Sequence, residues 1–241
     1  MRKLAALVTA AIVATWGGLA TADDDEPVPG TPPVALPDRP HAPAHDGPLS
    51  ARVVGPALLR ARPHGRVVTR IGRRTDFGGP QIVPVVGRFP GWIKVIHPAL
   101  GNRGRGWIPR AAVRLYSEPK DIVVDLSERR ARVRLHGEVV RSFRVGVGRA
   151  GHHTPTGRFA VTDRLLTVPG SPYGCCILAL SGHQPHLPQG WAGGDRLAFH
   201  GTTDESTVGR AASTGCLRVR ERDLRRLLRT VRVGTVVTIR R

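Results

Sequence analysis

Two residue types in the last third of the chain could cooperate in covalent chemistry: Cys216 and His200. A cysteine attacks a carbonyl carbon as its thiolate, and a neighbouring imidazole can take the thiol proton and stabilise the ion pair. The stretch reads Phe199-His200-Gly201-Thr202-Thr203, then a polar segment from Asp204 to Ala212, then Ser213-Thr214-Gly215-Cys216-Leu217-Arg218. Gly201 relieves backbone crowding beside the histidine. Cys216 follows a glycine turn whose N–H groups could lower the thiol pKa and hold an oxyanion. Arg218 could add positive potential for the thiolate or bind a substrate carboxylate. The segment between Gly201 and Ser213 is long and polar enough to form a loop over such a site.

These residues need a scaffold, and the hydrophobic pattern around them is that of strands. Ile122 to Leu126, Ala131 to Leu135, Glu138 to Val147, Phe159 to Val168, Ile177 to Leu180, Arg196 to Phe199 and Thr235 to Ile239 read as successive β-runs. His200 then sits at a strand end. Only Glu221 to Val231 predicts a helix, with Leu224, Leu227, Leu228 and Val231 at i, i+3, i+4 and i+7 beside an arginine-rich face. Upstream, Ala51 to Tyr116 has short β-rich runs broken by Gly/Pro turns and no helical periodicity. Gly91-Trp92-Ile93-Lys94-Val95 and Gly106-Trp107-Ile108-Pro109 resemble the paired signatures of bacterial SH3-like wall-targeting barrels. The expected fold is mostly β: a small N-terminal SH3-like β-barrel (50–117), then a β-rich, sandwich-like catalytic domain (120–241) with one late helix.

The His200-Gly201, spacer, Ser213-x-Gly215-Cys216-Leu217-Arg218 pattern is similar to the signature of the L,D-transpeptidase (YkuD-like) catalytic domain. Thr154-Pro155-Thr156-Gly157-Arg158-Phe159 resembles that family's upstream strand entry, and Gly234-Thr235-Val236-Val237 its closing strand, so the similarity runs from about Asp121 to Ile239. The resemblance implies Cys216 as nucleophile and His200 as general base, with Gly201, Ser213, Thr214, Gly215 and Arg218 forming the surrounding binding pattern. It further implies peptidoglycan stem peptides as substrates, a thioester on Cys216, and no metal or organic cofactor. Resolution of the thioester by an amine gives a cross-link; resolution by water gives L,D-carboxypeptidase activity. Many members have a second histidine where this chain has Thr214, and threonine cannot titrate near neutral pH. That departure keeps a second reading open, a wall-binding module whose catalytic site has decayed. A papain-like peptidase is disfavoured because there the nucleophile precedes the base.

Composition sets the context. Arg2 and Lys3 precede an apolar run from Leu4 to about Leu19, and Ala20-Thr21-Ala22 supplies an A-x-A ending, the layout of a secretory signal peptide over 1–22. Residues 23–49, with eight prolines and six acids, read as a disordered linker. From Ser50 onward 34 basic residues face 12 acids, a net of +22. For a protein exported to the bacterial envelope, with no membrane span left after signal cleavage, this charge suits an anionic wall polymer and not nucleic acid. Of three cysteines, Cys175 and Cys176 are adjacent, open an apolar run and read as buried packing with their redox state open; Cys216 is the working thiol. His152, His153, His183 and His186 match no compact zinc spacing. The first two read as a loop, the second two as exposed, and Tyr173 and Trp191 as flanking loop residues.

Overall fold

The computed structural model describes residues 32–37, 42, 47–187 and 194–241. The expected signal peptide, most of the linker and Trp191 lie outside the described residues. The N-terminal unit holds β2 (Leu49–Val53), β3 (Ala57–Arg60), β4 (Val67–Ile71), β5 (Ile82–Phe89), β6 (Trp92–Val95), β7 (Gly106–Pro109) and β8 (Val113–Ser117), preceded by a short β1 (Val34–Ala35). The C-terminal unit adds β9 (Lys120–Asp125), β10 (Arg130–Leu135), β11 (Glu138–Arg144), β12 (Val147–Gly148), β13 (Gly157–Leu166), β14 (Cys176–His183) and β15 (Arg196–His200). It closes with β16 (Ala211–Ser213), β17 (Leu217–Arg218), helix α1 (Glu221–Thr230) and β18 (Val236–Arg240).

The first unit is a seven-stranded sheet in the order β4-β3-β7-β6-β5-β2-β8. It curls around Ala51, Val53, Leu59, Val83, Ile93, Val95 and Ile108, all nearly or wholly buried. The alternation of buried and half-buried positions along β3 and β6 is the period-two pattern of strands with one face inward. The second unit is a larger sheet, β11-β10-β9-β18-β13-β14-β15-β17, with parallel pairs at β9/β18 and β15/β17 and antiparallel pairs elsewhere. Helix α1 lays Leu224, Leu227 and Leu228 onto this sheet, and its acidic first turn and Arg229 in the last turn suit the helix dipole. Among the described residues the fold is mostly β with one α-helix. The expected helix and the seven strand runs of the C-terminal unit recur within a few residues of their bounds, except that Glu138 to Val147 divides into β11 and β12.

Two features depart from expectation, and a third concerns a pair whose redox state the sequence left open. Within the segment read as linker, Val34–Ala35 pairs antiparallel with Leu165–Leu166, and Leu36 packs against the main core. A short apolar patch suffices to pin a proline-rich chain where a sheet edge offers free backbone groups. Cys175 and Cys176 are joined by a disulfide, with Cys176 fully buried. Ala211 and Ala212, at the end of the expected loop, join Ser213 in β16, which pairs in parallel with β12.

The two units are docked by polar contacts. Asn102 and the His183 backbone clasp each other, Nδ2 donating to the His183 carbonyl at 2.8 Å and Oδ1 accepting the His183 N–H at 2.7 Å. Arg105 donates to the Arg158 carbonyl at 3.1 Å. Thr75 donates its hydroxyl to the carboxyl of Asp163, which is 2 % exposed. Burial raises the Asp163 pKa above the ordinary carboxylate range, although hydrogen bonds from Thr75 and Thr162 and the charge of Arg196 act against it. A carboxyl with a raised folded-state pKa contributes stability that is present below its unfolded pKa of about 3.9 and lost as pH rises through the folded value. Asp163→Asn keeps an acceptor for Thr75 and removes the buried charge. The unfolding midpoint of this variant relative to the parent is therefore expected to rise between pH 4 and pH 7 in urea titrations; a difference independent of pH would contradict this account.

Candidate active site

Strand pairing brings the two chemically competent residues together. β15 carries His200 at its C-terminal end, and β17 runs parallel beside it with Phe199 opposite Leu217 and His200 opposite Arg218. Cys216 immediately precedes β17, so thiol and imidazole sit on neighbouring strands and line one cavity of about 80 Å³. Its other walls are mainly apolar, among them Leu165, Ile177 and Leu197. The Sγ of Cys216 points toward the Arg196 carbonyl at 3.8 Å.

His200 is 2 % exposed. Its Nδ1 lies 2.6 Å from the Gly201 carbonyl oxygen, an acceptor only, so Nδ1 carries the proton and Nε2 is the nitrogen with the lone pair in the neutral ring. Tyr173 meets the imidazole edge-on, with ring centroids 5.0 Å apart. Gly201 donates its N–H to the Tyr173 carbonyl at 2.7 Å. A Cβ on Gly201 would stand 3.0 Å from both the Gly174 Cα and the Tyr173 oxygen, so the absence of a side chain permits this approach.

The turn preceding Cys216 is pinned from three sides. Thr154 donates its hydroxyl to the Gly215 carbonyl at 2.9 Å while accepting the Gly148 N–H at 2.9 Å. Gln184, 1 % exposed, donates Nε2 to the Thr214 carbonyl at 3.0 Å and the His153 carbonyl at 3.2 Å. Ser213 donates to the Cys216 carbonyl at 2.7 Å and accepts the Gly215 N–H at 3.1 Å. Gly215 has φ +128°, and a Cβ there would meet the Gln184 Nε2 at 2.3 Å.

Of the residues singled out from sequence, Cys216, His200 and Thr214 line the cavity, whereas Ser213 and Gly215 build the turn behind it and Gly201 the strand crossing beside it. Arg218 is only 4 % exposed and bonds in backbone register with Gly146, away from the cavity wall. Its charge, after hydrogen bonds from Ser206, contributes to lowering the Asp204 pKa. His183 departs from its expected place in an exposed loop. It ends β14 half-buried, with Nδ1 2.8 Å from Asp195 Oδ1 and Nε2 3.2 Å from the Pro98 carbonyl. Thr154, Gln184 and Phe77 of the first unit went unassigned from sequence. Thr154 stood inside a quoted motif; the other two carried no local signal. Among the described residues, no group of three or more His, Cys, Asp or Glu is arranged to hold a metal ion. No helix among them is long and apolar enough to cross a membrane.

Known proteins resemble this chain over about half of its length or more. The profile of the YkuD family, the L,D-transpeptidase catalytic domain, matches residues 119–239. The Bacillus subtilis protein YkuD, named as an L,D-transpeptidase, is 32% identical over 126 residues, covering 52% of this chain and 69% of its own length. A Bacillus licheniformis protein of the same name is 33% identical over 121 residues, covering 50% of this chain and 66% of its own. Among solved structures, an L,D-transpeptidase from Enterococcus faecium aligns at TM-score 0.37 and 21% identity, covering 51% of this chain and 50% of that one. An L,D-transpeptidase from Mycobacterium smegmatis aligns at TM-score 0.43 and 14% identity, covering 88% of this chain and all of that one. With half of its residues matched by the profile and over two thirds of a relative spanned at 32% identity, the chain belongs to the L,D-transpeptidase catalytic domain family.

Proposed function

We propose that the protein is a peptidoglycan L,D-transpeptidase that works through a thioester on Cys216. The observation that carries this reading is the convergence of Cys216 and His200, from parallel neighbouring strands, on a single cavity. With Nδ1–H committed to the Gly201 carbonyl, Nε2 of His200 takes the thiol proton. The thiolate attacks the carbonyl carbon of the stem residue before a terminal D-alanine, and the developing oxyanion is held by backbone N–H groups of the 213–216 turn. The C–N bond then breaks, the imidazolium protonates the departing amine, and the acyl group remains on sulfur. An amine from a neighbouring stem completes the cross-link; water in its place gives the carboxypeptidase reaction.

Thr214 lines the cavity in place of the second histidine of many members, and its main-chain carbonyl is one of the groups Gln184 braces. A shape-keeping role for this position therefore does not need a titrating side chain. The basic surface and the N-terminal β unit, which we read as SH3-like, suit work in an anionic wall, in keeping with the signal-like leader.

Two outcomes test the mechanism. Incubated with a carbapenem, the protein is expected to gain the mass of one acyl adduct in intact-mass spectrometry, and Cys216→Ala none; an adduct of equal yield on the variant would refute the assignment. Gly215→Ala forces a Cβ onto the Gln184 amide and displaces the turn. Its rate of adduct formation is expected to fall by about 10²-fold or more, the scale of losing an oxyanion donor, with the thermal midpoint moved far less than unfolding would require. Parent-like acylation kinetics would show that this turn geometry is not needed.

A further inference from the structure

Beyond the cavity at Cys216 lies a much larger cleft of about 670 Å³ and mixed polarity between the two β units. The two spaces share Phe77, Gly194, Asp195 and Arg196 as lining residues, so they adjoin. Phe77 belongs to the loop between β4 and β5 of the N-terminal unit, and that loop is anchored to the catalytic unit by Thr75 on Asp163. The N-terminal unit thus supplies a wall of the cavity that contains the nucleophile.

The charges in the cleft are unequally committed. Arg196 is held by the Leu180 carbonyl (Nε, 2.8 Å) and the Thr162 hydroxyl (Nη2, 2.8 Å), and Asp195 is paired with His183. His97 is neutral at pH 7, since burial, with the charge of Arg196, lowers its pKa to about 4 against the opposing pull of Asp76. Arg70 and Arg74, both exposed, meet no carboxylate within ion-pair distance among the described residues. Arg74 is also oriented, because its Nη1 donates to the Gly78 carbonyl at 2.7 Å within its own loop. A guanidinium held at one nitrogen, in a residue that lines a cleft, keeps further donors for a carboxylate.

We infer that this cleft is the binding site of the acyl acceptor, and that Arg74 of the N-terminal unit selects acceptors carrying a carboxylate near the reacting amine. The inference rests on the transpeptidase reading and extends it to a unit outside the family match. A single departing amino acid needs little of the space; a peptide chain is of the size that fills it. In the acceptor step the amine nitrogen attacks the thioester carbonyl carbon, the C–S bond breaks, and the sulfur leaves as thiolate. The amine proton passes to His200 and from there to the sulfur, so that no oxidant or further reactant is consumed. The N-terminal unit is by this account a part of the active site.

The test uses the full chain, a stem tetrapeptide ending in D-alanine as donor, and one small peptide amine as acceptor in two forms, free carboxylate and C-terminal amide. Transfer is followed by mass spectrometry, giving kcat/KM for each acceptor. The parent is expected to favour the carboxylate form by about tenfold or more, the scale of one charge-assisted hydrogen bond. In Arg74→Glu the preference is expected to vanish or invert, chiefly through KM, and Arg74→Lys to restore part of it. Equal losses for both acceptors in Arg74→Glu would reduce Arg74 to a loop-shaping residue and overturn the proposal, as would a parent with no preference. Failure of the parent to transfer to either acceptor while still shedding D-alanine would remove the transpeptidase reading, and this proposal with it.

Discussion

The parallel pairing of β15 with β17 is the constraint on which the site depends. Two strands joined by a short hairpin would have to be antiparallel, and His200 and Cys216 would then be set by the turn alone. Here the chain leaves β15 at His200, makes a single 3-10 turn over Glu205–Thr207, lends β16 to β12, and returns to run beside the strand it left. The thiol and the imidazole are therefore related by a backbone ladder, with Val219 N–H donating to the His200 carbonyl at 2.8 Å just beyond them. A ladder of that kind holds two side chains in a register that a loop would leave free.

Around this ladder, buried polar side chains serve the backbone of the turn. Thr154, Gln184 and Ser213 each satisfy a main-chain carbonyl between Thr214 and Cys216. Each such bond contributes only about 1 kcal/mol net, but losing one partner strands a buried acceptor at a cost of about 1–3 kcal/mol. The turn is consequently held less by attraction than by the penalty for leaving it. Rigid placement of donors before the reaction is what oxyanion stabilisation requires.

The docking of the two β units has a second consequence. The clasp of Asn102 on His183 fixes the end of β14, the next residue is Gln184, and Gln184 braces the turn at Cys216. A contact made by the N-terminal unit is thus one residue and one side chain away from the turn that leads into Cys216. Recognition in the cleft and geometry at the thiol share the same physical support.

Much of the site was legible in the linear chain because its chemistry is local. A glycine, a cysteine and a serine packed into one short turn, and a histidine followed by glycine at a strand end, stand out as candidates through residue type and spacing. The strand runs and the Leu224/Leu227/Leu228 stripe were readable for a related reason: burial on one face imposes a period that sequence must obey. The short strands β1, β16 and β17 carried no such period, since two or three residues cannot display one. Contacts between distant segments were equally silent. That Gln184 would reach the Thr214 carbonyl, that His183 would be tied to Asp195 and Pro98 and not exposed, and that Phe77 would wall the cavity of Cys216 all depend on how the sheets stack. The amino-acid order specified which groups could react; the stacking of one β unit on another, an outcome of non-local packing with no period of its own, specified what surrounds them.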